Sequence, residues 1–255
     1  MLLGLLSIFA LMASLWQYRA THIQSASDRP GLLCEHEGHF HHIRLSESGE
    51  LAEHHIESDR PEGDYKTVLW QPVFELLPNQ FEKAGLLEEA NQQQRVGDSF
   101  SLHFAGKNGD LHLAGGLLSL SKRLEANRSW SSDPALRNAE GLSFVWVQEN
   151  TAYVLSYHEG ELILCNSYPV ANNAEVLYFA LAPFHMEKVH PSKVAIVVWA
   201  DENRQTVLEN EGDRMGIRIC SAPQSAVYGP NKSVPFSHFL APLLELAACE
   251  LPEGN

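Results

Sequence analysis

Three strand-like runs joined by short polar turns constrain the fold of this chain more than any other feature. The runs cover residues 142–147, 152–157 and 161–168, and the turns between them cover 148–150 and 158–160. Connections this short join neighbouring antiparallel strands, whereas parallel strands need a crossover of a dozen residues or more. The sequence therefore predicts a three-stranded antiparallel meander.

Helix and strand patterns alternate after this meander. Asn172 and Glu175 have the spacing of a helix cap, and Pro183 is expected to kink or end the helix that follows. Residues 193–199 form an apolar run typical of a buried parallel strand. A polar helix over 202–210 and a last strand over 216–222 complete this half.

The first half shows a comparable order. Strands are predicted over 32–45 with a bend at Gly38, then over 50–57, 66–70 and 73–77, followed by a helix from Asn79 to Ala90. Residues 99–104 and 110–114 are predicted to form a hairpin, and residues 117–127 a helix. The prediction is a duplicated α/β architecture: an apolar segment and linker at 1–30, a first subdomain at 31–127, a linker at 128–140 and a second subdomain at 141–251.

Charge and cysteine usage exclude some partners and compartments. The 32 acidic residues outnumber the 18 basic ones, for a net charge of −14, which would repel a phosphate backbone. We therefore expect no nucleic acid partner. The four cysteines, Cys34, Cys165, Cys220 and Cys249, lie in apolar runs without close pairing, as expected of a reducing compartment. A cytoplasmic location follows as the first expectation.

The N-terminal segment points to a different location. Residues 2–16 are mostly apolar, but no basic residue precedes them, and as a helix they would span about 22 Å, against roughly 30 Å for the hydrocarbon core of a bilayer. An export signal, a marginal membrane anchor and a misassigned start are all consistent with this run. Membrane association is expected only through residues 2–16.

The order of strands and helices resembles the actin-like fold, in which each of two related subdomains begins with a meander and ATP binds between them. More closely, the chain resembles an uncharacterised bacterial family of unknown function related to that fold. The matching stretches are 73–81, 144–176 and 239–250. The resemblance implies an α/β fold of the actin-like, ribonuclease H-like class, with two subdomains that each hold a mixed sheet flanked by helices.

Actin-like ATPases hold phosphates and metal at Asp-x-Gly turns, and this chain departs from that pattern at three places. The first turn retains Glu35 and Gly38 among bulky histidines, and the second offers Gln148 and Asn150 with no glycine. The loop that should bear paired glycines holds Asp201. These five residues mark the degenerate nucleotide cleft. We predict no catalytic residue and no cofactor, so the chain is expected not to be an enzyme.

Histidines crowd into the first predicted hairpin. A turn centred between Glu47 and Ser48 would place His41 opposite His54, with His39 on the same face, so these three could bind zinc or nickel. Histidines on a polar strand face are the plain alternative.

Three functions remain open: a non-catalytic scaffold that binds an unidentified protein, an ATP-binding protein with diverged phosphate loops, and a metal-binding protein. Trp130 in the polar linker is the predicted exposed anchor for a partner, whereas Trp146 and Trp199 are predicted to lie in the core.

Overall fold

A computed structural model describes residues 14–19, 31–36, 38–46, 51–63, 65–69, 74–78, 90–96, 100–105, 111–222 and 241–246. Its strands are β1 Ser14–Arg19, β2 Gly31–His36, β3 His39–Leu45, β4 Leu51–Glu57, β5 Tyr65–Leu69, β6 Phe74–Pro78, β7 Ala90–Val96, β8 Phe100–Ala105, β9 Leu111–His112, β10 Gly141–Gln148, β11 Thr151–His158, β12 Glu161–Pro169, β13 Val194–Trp199 and β14 Arg218–Ser221. Its helices are α1 Leu113–Ala126, α2 Pro134–Arg137, α3 Asn173–Met186, α4 Glu202–Met215 and α5, which spans 241–246.

The two larger sheets repeat one topology. In the second half the strand order is β12-β11-β10-β13-β14, with β10 to β12 antiparallel and β13 and β14 parallel to β10. In the first half the order is β4-β3-β2-β5-β9, with the same antiparallel and parallel pairings. The α/β fold and its duplicated mixed sheets are therefore as predicted. The predicted boundaries between subdomains stay a prediction.

Between β5 and β9 in the sequence, the chain forms a third sheet. Its order is β6-β8-β7 and all of its pairs are antiparallel. The predicted hairpin of residues 99–104 and 110–114 is wrong, because β8 belongs to this sheet while β9 pairs in parallel with β5. Ala90 begins a strand rather than ending a helix, and the rest of the predicted helix lies outside the described residues. Strand β7 carries three glutamines in a row, so its sequence lacked the apolar alternation that identifies strands.

Part of the N-terminal segment is a strand. Residues 14–19 form β1, which pairs antiparallel with β4 at the edge of the first sheet. Residues 17–19 therefore belong to a strand and not to the predicted linker, whereas membrane association through residues 2–16 stays a prediction. Residues 1–13 lie outside the described part. Within the part of the chain that the structure describes, no helix has the length and apolar character needed to cross a membrane.

Helices α3 and α4 begin and end at residues that are typical of helix caps. The Asn172 side chain accepts a hydrogen bond from the Glu175 N–H at 3.0 Å, and the Glu175 carboxylate accepts one from the Ala171 N–H at 2.8 Å. Pro183 does not end α3, which continues through its last turn to Met186. Helix α4 ends at Gly216, whose φ of +69° is the left-handed conformation that glycine adopts without strain.

The predicted polar linker over 128–140 is more ordered than its composition indicated. It holds a short 3-10 helix, Arg128–Trp130, and then α2, whose Leu136 is fully buried. The Trp130 indole N–H donates to the Leu124 carbonyl at 3.0 Å, and its ring packs against the main core. The prediction of Trp130 as an exposed anchor for a partner is therefore wrong.

Helices α1 and α5 each come after the last described strand of a sheet, and they pack against each other. The main core takes residues from both halves, including Ile43, Leu117, Trp146 and Leu243. Trp146 and Trp199 are buried, as predicted. A second core lies between the β10–β14 sheet and the helices α3 and α4, which cover one face of that sheet.

Candidate functional site

The first turn that should approach phosphate joins β2 to β3. Glu35 lies near the end of β2 and is exposed. Gly38 has a φ of +73°, and an added Cβ would meet nothing within 4 Å. Its backbone conformation, rather than close contact with another group, therefore explains glycine at this position. Glu37, between them, lies outside the described residues.

The second turn joins β10 to β11. Gln148 is the last residue of β10 and is buried, whereas Asn150 is exposed. The carbonyl of Asn150 accepts a hydrogen bond from the Val170 N–H at 2.8 Å. Between them, Glu149 has a φ of +49°, a conformation that residues with a Cβ rarely adopt. At the place of the glycine in an Asp-x-Gly turn the chain carries Asn150, directly after the acidic Glu149.

The third position, Asp201, is the cap of α4. Its carboxylate accepts a hydrogen bond from the Arg204 N–H at 3.0 Å. Free N–H groups at a helix N-terminus are what an anion such as phosphate binds. In α4 a carboxylate of the chain itself already accepts one of them, and its negative charge would repel a phosphate.

Arg204 joins the second turn to the third. Its guanidinium donates a hydrogen bond to the carbonyl oxygen of Glu149, while its own N–H is capped by Asp201. The structure therefore brings the 149–150 turn and the start of α4 together, whereas Glu35 and Gly38 belong to the other half. Sequence reasoning missed Arg204, because nothing in its local pattern shows that it reaches a turn 55 residues earlier.

The histidine hairpin brings two of its three predicted ligands into contact. The Nδ1 atom of His41 lies 3.2 Å from Nε2 of His54, and both side chains are buried. The prediction that they lie directly opposite each other is wrong by two residues. His41 is opposite Ile56 and His54 is opposite Ile43, so the two histidines are diagonal neighbours on the two strands. Burial, and next the charge of His41, lower the pKa of His54 to about 3.

His39 lies on β3 two residues from His41 and four residues from Ile43, the partner of His54. These separations are about 7 Å and about 13 Å along the strand, so His39 is near His41 but distant from His54. Among the residues that the structure describes, no group of three or more histidine, cysteine, aspartate or glutamate side chains is placed to hold a metal ion. The site of His39, His41 and His54 stays a prediction.

The opposite face of the same hairpin carries a second group of rings. His42 stacks on His55, with ring centres 5.5 Å apart, and meets Tyr65 edge-on at 4.5 Å. Burial, followed by the nearby charges of His55 and Arg44, lowers the pKa of His42 to about 4. The packing of the His42 ring on His55 and Tyr65 accounts for this part of the histidine pattern.

Sequence reasoning missed an apolar groove between α3 and α4. Its volume is about 560 Å³, and every lining residue comes from α3, α4 or the segment 189–194. Most of the lining is apolar, with Leu177, Leu181, Phe184, Val189, Val194 and Met215 as its main members. Clefts of this size and lining are typical of binding sites.

Large hydrophobic side chains are exposed beside this groove. Within the described residues they are Tyr178 at 65%, Met186 at 82%, Val207 at 43% and Met215 at 56%, and all four lie on α3 or α4. The sequence did hold a signal, because residues 176–184 are apolar on every side of α3. Only one side of a helix can face the sheet, so the others must face something else.

Comparison with known proteins places the fold. Residues 131–211 match the model of a family described as protein of unknown function (DUF3822). A crystal structure from Bacteroides thetaiotaomicron VPI-5482, described as a protein with actin-like ATPase fold and unknown function, matches with a TM-score of 0.59 at 10% identity. The match covers 91% of this chain and all of that one. No curated protein matches the chain. The expected resemblance to an uncharacterised family related to the actin-like fold is thus confirmed.

Proposed function

We propose that this chain is a non-catalytic actin-like protein that works by binding a partner protein in the groove between α3 and α4. The observation that carries the proposal is the exposure of Tyr178 and Met215, which line the groove from opposite helices. Exposed apolar side chains that border a groove mark a site of interaction more often than scattered ones do. The other two large hydrophobic side chains that are exposed among the described residues, Met186 and Val207, lie on the same two helices.

The energetics of burial favour this reading. Removing a methionine or aromatic side chain from water stabilises a complex by roughly 1.5–3 kcal/mol. Tyr178 and Met215 line the groove from opposite helices, so a partner seated there would cover both at once. Large side chains that become buried in a pocket at the centre of an interface carry most of its binding energy.

The residues at the turns that would bind phosphate support the proposal that the protein is non-catalytic. Phosphoryl transfer needs backbone N–H groups and metal-bound carboxylates arranged around the phosphates. Here Arg204 bonds the turn at Glu149, and Asp201 caps the helix that would face the nucleotide. These groups stabilise the turns in a form that serves the fold rather than a triphosphate.

Partner binding is tested by placing charges in the groove. We would introduce Tyr178→Glu together with Met215→Glu in the full-length chain and compare co-purified proteins with those of the wild type by quantitative mass spectrometry. Ala135→Glu is the matched control, because Ala135 is an exposed apolar residue of α2, which forms no part of the groove. We expect the double variant to lose one or more specific partners that the control retains.

An identical set of partners for the double variant and the wild type would contradict the proposal. Because both changed side chains are exposed, the variant should fold, and its far-ultraviolet circular dichroism and melting temperature should match those of the control. Loss of the same partners by the Ala135→Glu control would assign the loss to the added charge rather than to the groove.

A further inference from the structure

We propose that the groove between α3 and α4 receives one amphipathic α-helix of the partner, with apolar side chains in the groove and a basic and an acidic side chain against Glu211 and Arg214. This inference rests on the proposed function and adds the chemistry of the partner. It follows from the lining of the groove, the elements that form it and the charges at its rim.

The apolar lining selects a helix over an extended segment. An extended chain carries unpaired backbone N–H and C=O groups, which lose free energy when they leave water for an apolar surface. Neither neighbour offers them partners, because α3 and α4 satisfy their own backbone groups and β13 pairs with β10 on one side and β14 on the other. A helix satisfies its own backbone groups internally and can lie on this surface.

The dimensions fit side chains inserted from a helix that lies across the rim. A helix of 14 residues, the length of α3 and of α4, is about 21 Å long. A volume of about 560 Å³ holds several side chains but not a whole helix. The partner helix therefore presents apolar residues at positions i, i+3 or i+4, and i+7. Met215 adds a flexible side chain that adapts to the shape of its partner.

The rim supplies a pair of opposite charges. Glu211 and Arg214 line the groove three residues apart on α4, so they lie about one turn from each other. Within the described part of the chain, the side chains of Glu211 and Arg214 form no hydrogen bond or salt bridge. A partner helix alongside α4 would complement both with a basic and an acidic residue one turn apart. This charge complementarity fixes the direction of the helix in the groove.

Photo-crosslinking from inside the groove tests the inference. The full-length chain would carry p-benzoylphenylalanine in place of Tyr178, whose exposure leaves room for the larger ring. After irradiation in cells, mass spectrometry identifies the segment attached to this position. We expect a single protein segment with apolar residues at i, i+3 or i+4, and i+7 and with one acidic and one basic residue a turn apart.

A synthetic peptide of that segment then tests charge and conformation. Arg214→Gln should weaken its binding about 2- to 5-fold, as expected for the loss of a rim ion pair, and Arg214→Lys should restore most of it. Arg137→Gln, a change at an exposed arginine of α2, should have no effect. A proline in the middle of the peptide should abolish binding, because it breaks a helix.

The outcomes separate this inference from the proposed function. The inference of a bound helix fails if the crosslinked protein segment lacks helical apolar spacing. It also fails if Arg214→Gln and the central proline leave peptide binding unchanged. Either result would still support a protein partner. Crosslinking only to lipid, only to a second copy of this chain, or to nothing would overturn both the helix and the partner protein.

Discussion

Gly116 of α1 lies against the backbone of Pro242 in α5 so closely that a Cβ atom at position 116 would be 2.4 Å from the Pro242 carbonyl oxygen. Real Cβ atoms do not approach oxygen to this distance, so any side chain here would force the helices apart. The same Cβ would also lie 2.7 Å from the Leu246 side chain. Glycine at 116 therefore sets the spacing of the two helices that link the halves.

Gly116→Ala should destabilise the fold. Overpacking of this kind costs about 1–3 kcal/mol, and the gain of about 1 kcal/mol from replacing glycine with alanine in a helix offsets only part of it. We expect a net loss of about 0–2 kcal/mol in the free energy of unfolding, measured by urea denaturation. Lys122→Ala, an exposed change on the same helix, should stay within about 0.5 kcal/mol. A stabilised Gly116→Ala variant would show that α1 and α5 are not held in this contact.

Acid should unfold the protein through its buried histidines. The pKa values of His54 and His42 are lowered to about 3 and about 4, whereas both are about 6.5 in an unfolded chain. The folded state thus binds fewer protons, so the stability from these groups is complete above pH 6.5 and falls as the pH decreases toward the folded pKa values. Between pH 7.5 and pH 5, each histidine should lower the free energy of unfolding by roughly 2 kcal/mol.

Urea denaturation of the wild type at pH 7.5 and pH 5 measures this loss, and the His42→Gln and His54→Gln variants provide the comparison. Each variant should be less stable than the wild type at pH 7.5, because a ring contact is lost, but should lose less on acidification. If acidification lowers the free energy of unfolding of both variants as much as that of the wild type, other groups cause the acid sensitivity.

The second half could be read from the sequence almost element by element, and the reason is physical. Its strands are bounded by polar turns, and its helices begin with side-chain caps such as Asn172 and Asp201, so each boundary has a local signal. The first half was read less well. The polar strand β7 lacks apolar alternation, and β9 is only two residues long, so its parallel pairing with β5 depends on long-range contacts.

The candidate site depends even more on long-range contacts. The groove is formed where α3, α4 and the segment 189–194 meet, and a sequence does not show which apolar residues stay exposed after packing. The same limit explains Trp130, which looked exposed by its polar neighbours but finds the Leu124 carbonyl six residues earlier. By contrast, the absence of glycine at Gln148–Asn150 is a local property and needed no structure.

Mg-ATP should leave the melting temperature unchanged. A ligand at 100 times its Kd stabilises a protein by about 2.7 kcal/mol, so millimolar Mg-ATP would give a clear shift if it bound with micromolar affinity. We expect no shift, because the second turn lacks glycine and Asp201 places a negative charge at the N-terminus of α4. A saturable shift with Mg-ATP that is absent with Mg²⁺ alone would instead favour the alternative of a nucleotide-binding protein with diverged phosphate loops.

Arg128 should be among the residues whose loss is most damaging, although it lies in a segment that reads as a linker. Its guanidinium makes two hydrogen bonds to the buried Glu125 carboxylate, at 2.8 and 2.6 Å, and a third to the Ala139 carbonyl at 2.6 Å. Arg128→Ala would leave a buried carboxylate without its partner, which costs about 3–5 kcal/mol. Lys193→Ala is the matched control, because it breaks the exposed pair with Glu140 and should cost at most about 1 kcal/mol. Chemical denaturation of both variants measures the difference, and equal losses would mean that the Arg128 pair is no better protected from water than the pair at the surface.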